Sequence, residues 1–149
     1  MKKNKDKNLL QLRAISEKAI ADVDLEKRKV KGYFASFNTL DSHNDIIRQG
    51  AFAKSIQERG PNAMGNRRIA HLYQHDMNCP IGKILELRED NFGLYFVSEL
   101  IDTQKGNDVL TMYQEGVLRE HSIGFNYVWD KMEFIEGKGE DEEGFFEIK

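Results

Sequence analysis

The sequence predicts a mainly β fold with peripheral helices, an α+β arrangement built on a small, mostly antiparallel β-barrel. Three observations lead there. Several stretches alternate their side chains with the period of two that strands require, and they carry aromatic and β-branched residues. Clusters of turn formers separate these stretches at hairpin spacing. Only two segments carry helix start and stop signals. The 149 residues fit one domain, and a chain with 40% hydrophobic and 10% aromatic residues can bury a core without staples.

Taken in order, Met1 to Asn8 is a polar, lysine-rich arm, and residues 9–149 form the single domain. Leu9 to Asp24 holds apolar residues without a clean period, which leaves strand and helix both open. Arg28 to Asn38 alternates as a strand, with Val30, Phe34 and Ser36 on one face and Lys31, Tyr33, Ala35 and Phe37 on the other. Leu40 to Gly50 is rich in turn formers. Ala51 to Arg59 reads as a short helix stopped by Gly60, and Gly60 to Asn66 as a loop. Arg68 to His75 alternates again, aligning Ile69, His71, Tyr73 and His75. Pro80 to Leu87 and Leu94 to Leu100 form a hairpin across the turn Arg88–Gly93. Asp102 or Thr103 caps a helix running to Glu115, with Val109, Leu110 and Tyr113 on one face and Gly116 as its stop. His121 to Trp129 is a strand that turns into Met132–Ile135. An acidic, glycine-containing loop over Gly137–Gly144 leads to a last strand at Phe145–Ile148.

Composition narrows the function classes. A net charge of −3, from 22 basic and 25 acidic residues, gives no general electrostatic reason to bind nucleic acid or an anionic membrane, and neither is an expected partner. Cys79 is the only cysteine, so an intrachain disulfide and a multi-cysteine metal site are excluded, and a reducing cytosol is the expected setting. The N-terminal MKKNKDKNLLQLRAISEK lacks the apolar stretch of a signal peptide, and no run of about 18 apolar residues could span a bilayer. No cofactor is expected.

The residues that could carry chemistry are few. Ser122 stands in HSIGF at the start of an apolar stretch. Its hydroxyl becomes a nucleophile only if a base takes its proton and a third group orients that base. By itself a serine at a strand start is an ordinary structural residue. Four histidines are candidate bases. His121 is adjacent to Ser122, and strand alternation turns it to the opposite face. His43 lies in a turn rich in Asp and Asn. His71 and His75 remain. On a helix this HxxxH pair would share a face and could hold a metal, but on a strand the two lie about 13 Å apart. His71, between Ile69 and Tyr73, also reads as a satisfied core histidine. His75 opens the turn-rich HDMNCPIG at a strand end, where catalytic groups are often carried. Cys79 is a further nucleophile candidate, although a free cysteine is more often buried and inert.

Four blocks, GYFASFNTLDSHNDIIRQGAF (Gly32–Phe52), IAHLYQHDMNCPIGKILEL (Ile69–Leu87), FGLYF (Phe92–Phe96) and GVLREHSIGF (Gly116–Phe125), occur in an order that resembles the prohead (capsid maturation) serine proteases of tailed bacteriophages. The resemblance implies Ser122 as nucleophile and His75 as general base. It implies a fold like herpesvirus assemblin, a small barrel with outer helices. It implies substrates, namely the scaffolding protein or the scaffolding segment of the major capsid protein, and the protease itself. It also implies a homo-oligomer, a dimer or higher form, working in the host bacterial cytoplasm inside the assembling procapsid. The third catalytic member is expected on a strand after the nucleophile, where Glu147 is the visible candidate; Asp76, next to His75, is another, and the C-terminal strand region reads as cut short. Gly82, Gly124 and Gly137 are places where backbone N–H groups could form an oxyanion hole. The alternatives are a non-catalytic capsid-assembly module of the same fold and a metal protein using His71 and His75.

Overall fold

The computed structural model describes residues 22–41, 44–121, 123–124, 131–135 and 144–149. Among them the elements run β1 (Asp22–Asp24), β2 (Lys29–Ser36), β3 (Asp45–Ile47), α1 (Ala53–Arg59), β4 (His71–Leu72), β5 (Pro80–Glu89), β6 (Gly93–Leu100), α2 (Gln104–Gln114), β7 (Met132–Ile135) and β8 (Phe145–Ile148). The predicted arm Met1–Asn8, the ambiguous segment up to residue 21 and most of the predicted strand His121–Trp129 and loop Gly137–Gly144 lie outside the described residues.

The predicted mainly β class with two helices is observed, with one correction. The strands form two sheets that, among the described residues, do not close into a barrel: a five-stranded sheet in the order β1-β2-β6-β5-β4 and a three-stranded sheet in the order β3-β8-β7. The large sheet is antiparallel throughout. In the small one, β3 runs parallel to β8, which runs antiparallel to β7.

The hairpin of β5 and β6 forms as its pattern predicts. Asp90 closes it by accepting from the backbone N–H groups of Phe92 (2.8 Å) and Gly93 (3.1 Å) through Oδ1, an Asx-type turn. Leu87 and Ile84 of β5, with Leu94, Phe96 and Leu100 of β6, point into a core shared with Val30, Ile81 and the α2 residues Val109 and Tyr113. In β2 a register shift between Tyr33 and Ala35 interrupts the alternation. Phe34 and Ala35 both pack against the core there, while Tyr33, outside the core cluster, donates its hydroxyl to Asp90 Oδ2 at 2.7 Å.

Two expectations need adjusting. The turn-rich Leu40–Gly50 contains β3, three residues long, whose partner Phe146–Ile148 is a hundred positions away. The strand expected over Arg68–His75 shrinks to His71–Leu72, because a register shift follows His71 and the chain then turns away from β5.

Candidate active site

His75 lies three residues beyond the end of β4, in a tight turn rather than at a strand end. Gln74 (φ 49°) and His75 (φ 57°) are consecutive non-glycine residues in the left-handed region. Such a conformation costs roughly 1–2 kcal/mol per residue and persists only where the surroundings enforce it. Here they do. Tyr73 N–H donates to the Cys79 carbonyl (3.0 Å), Asp76 N–H to the Tyr73 carbonyl (3.0 Å) and Cys79 N–H to the Asp76 carbonyl (2.9 Å). Asp76 Oδ1 accepts from Asn78 N–H at 2.8 Å, so this third-member candidate caps its own turn. Cys79 is half-buried and packs against the core.

The turn leaves the His75 side chain exposed, and its ring meets the segment that contains Ser122. A Cβ placed on Gly124 would lie 3.6 Å from His75 Nδ1. The imidazole thus stands beside Gly124 of the HSIGF stretch. Ser122 itself, like His43 and Gly137, lies outside the described residues.

Two further histidines, His71 and His121, meet against the core. His71 is 5% exposed, and its Nδ1 shares a hydrogen bond of 2.9 Å with Ser98 Oγ, which is fully buried. Burial, and secondarily the nearby His121, lowers the His71 pKa to about 4, so the ring is neutral near pH 7. Gly82 on β5 makes room for this bond, since a Cβ there would sit 2.5 Å from Ser98 Oγ. His121 shares a hydrogen bond of 2.8 Å between its Nε2 and the Tyr113 hydroxyl, and its ring stacks on that of Tyr113 at 5.6 Å. Burial raises the pKa of the Tyr113 phenol, which stays protonated.

The metal reading needed His71 and His75 on one helical face. Instead one is buried on a strand and the other exposed on a turn, and among the described residues no group of three or more His, Cys, Asp or Glu is gathered as for a metal ion. Glu147, on β8, is held by Arg48 Nη2 at 3.1 Å and Lys149 Nζ at 3.6 Å. The hydrogen bond from Arg48 keeps its carboxyl below the usual range. Sequence reasoning missed Ser98, which no motif marks, and saw Tyr113 only as part of a helix face.

Residues 15–149 match the caudovirus prohead serine proteases. The chain belongs to this family. Among its relatives are the prohead protease of Enterobacteria phage HK97, 34% identical over 107 residues (70% of this chain and 45% of that protein), and the prohead protease of Escherichia phage T5, 30% identical over 121 residues (75% of this chain and 54% of that protein). The chain thus spans about half the length of the curated prohead proteases it matches. No solved structure matches it.

Proposed function

We propose that the chain is a serine endopeptidase of phage procapsid maturation, with Ser122 as nucleophile and His75 as general base. The observation that carries this reading is the strained turn that brings the His75 ring to the Gly124 end of the HSIGF segment, in a member of the prohead protease family. His75 takes the Ser122 proton as the oxygen attacks a peptide carbonyl, returns it to the leaving amine, and assists water in releasing the acyl group. Backbone N–H groups close to the nucleophile, those around Gly124 among them, would receive the oxyanion. Asp76 and Glu147 are the candidates for orienting the base. Asp76 is adjacent to it, whereas Glu147 would have to give up its ion pairs.

By this reading the substrates are the scaffolding protein or the scaffolding segment of the major capsid protein, and the protease itself. The work is done by a single domain over residues 9–149, as a dimer or higher oligomer, inside the procapsid in the host cytoplasm. Kinship with herpesvirus assemblin belongs to the same proposal and rests on the sequence resemblance and the predominance of antiparallel strands. A solved structure would test it by whether the two sheets join into one barrel.

The decisive experiment is cleavage of the phage's scaffold or coat substrate by Ser122→Ala and His75→Ala. Both variants are expected to lose at least about 10³-fold in kcat while keeping their far-UV circular dichroism. Full activity in folded Ser122→Ala would end the proposal.

A further inference from the structure

The two segments that carry Ser122 and His75 each send one histidine into the core, and those histidines meet. His71 is on β4, immediately before the His75 turn. His121 is the residue before Ser122. Their ring centroids are 6.4 Å apart. Both pack edge-on against one pair of stacked rings, Phe34 and Phe96, whose centroids are 3.7 Å apart. His71 lies 5.5 Å from Phe34 and 5.6 Å from Phe96, and His121 6.0 Å and 4.9 Å from the same two. Each histidine has its own hydroxyl anchor on a rigid element: Ser98 on β6 for His71, Tyr113 on α2 for His121.

Resting on the serine-peptidase reading above, we propose that His71 and His121 are positioning residues that fix the spacing of the base and the nucleophile. The reasoning is mechanical. Consecutive Cα atoms are 3.8 Å apart and joined by a planar peptide, so the position of His121 restricts where Ser122 can lie. On the other side, the hydrogen bonds that close the turn over Tyr73–Cys79 couple β4 to His75. A misplacement of about 1 Å between a base and its proton donor can lower a rate by about 10²-fold. An aromatic pair alone would allow both imidazoles to slide. The two hydroxyl anchors fix their direction as well as their depth.

Tyr113→Phe and Ser98→Ala test this with small changes, since each removes one hydroxyl and leaves the aromatic packing in place. The readout is the covalent labelling of Ser122 by a fluorophosphonate, resolved into the maximal rate kinact and the half-saturation constant KI. Each variant, shown to be folded by circular dichroism and melting temperature, is expected to lose at least about tenfold in kinact with KI changed less than about twofold. The pH midpoint of kinact should match the unsubstituted chain, because the titrating base is unchanged. His121→Gln, whose amide can reach the Tyr113 hydroxyl, should retain more of kinact than His121→Ala. Unchanged kinact in either folded hydroxyl variant overturns the proposal, and so does a shifted pH midpoint, which would make the substituted site part of the titrating machinery. No labelling of the unsubstituted chain would remove the peptidase reading and this inference together.

Discussion

His71 shows how one buried side chain ties stability to pH. Its folded pKa of about 4 lies below the ordinary 6.5 because burial, and then the neighbouring His121, disfavour the charged ring. Between those two values the unfolded chain binds a proton that the folded chain refuses. Stability therefore rises with pH through this window. The contribution is complete above about pH 6.5 and is lost as pH falls towards 4. At about 1.4 kcal/mol per pH unit, the gap amounts to about 3 kcal/mol. Urea denaturation from pH 4 to 7 checks this: the unsubstituted chain should lose about 3 kcal/mol more on acidification than His71→Gln, whose amide can still bond Ser98. Equal slopes in the two proteins would show that His71 does not set the acid limb. His75, exposed in its left-handed turn, illustrates the opposite use of a histidine, with conformational strain in place of desolvation.

Among the elements, α2 is the one whose ends are most completely written in local residues. Thr103 is extended (φ −123°, ψ 165°), and its side chain accepts from Gly106 N–H at 3.1 Å, which occupies one otherwise unpaired donor of the first turn. At the other end Gly116 takes φ 68°, and its N–H donates to the Tyr113 carbonyl at 3.1 Å. Thr103→Ala should cost about 1 kcal/mol, visible as a lower melting temperature, and by loosening the helix that carries Tyr113 it should also slow labelling of Ser122. The same locality explains what could be read in advance. The α2 cap and stop, the Gly60 end of α1 and the Asp90 turn of the β5–β6 hairpin all lie within a few residues of what they control. β3 could not be read this way. Its Asp45 pairs with Phe146, and its composition is that of a turn. The meeting of His71 with His121 was equally hidden, because their separation depends on Phe34 and Phe96 from two further strands. Strand alternation set His121 aside as the base on the expectation that it faces away from Ser122, and choosing His75 over His71 required the family resemblance.

For the molecule as a whole, the division into two sheets predicts two levels of stability. The main core cluster is drawn entirely from the large sheet and α2: Val30, Ile81, Ile84, Leu87, Leu94, Phe96, Leu100, Val109 and Tyr113. The small sheet lies outside it, and β8 is its central strand, with β3 on one side and β7 on the other. The described ties between the β3 region and the large sheet are a few hydrogen bonds and the packing of Phe52, which stacks on Phe37 and touches the main core. Phe37 N–H donates to the Phe92 carbonyl at 2.8 Å, and the Glu89 carboxylate accepts from Gly50 N–H at 2.8 Å and Phe52 N–H at 2.9 Å. Removing residues 145–149 should therefore dissolve the small sheet while sparing the large one, because a missing central strand takes from β3 and β7 their shared strand partner, whereas the main core loses none of its members. Amide hydrogen exchange distinguishes the outcomes. In the shortened chain the amides of β5 and β6 should keep protection within about tenfold of the full chain, while those of β3 and β7 exchange at close to unprotected rates. Loss of protection across β5 and β6 as well would mean that the two sheets fold as one cooperative unit, with β8 holding together more than its own sheet.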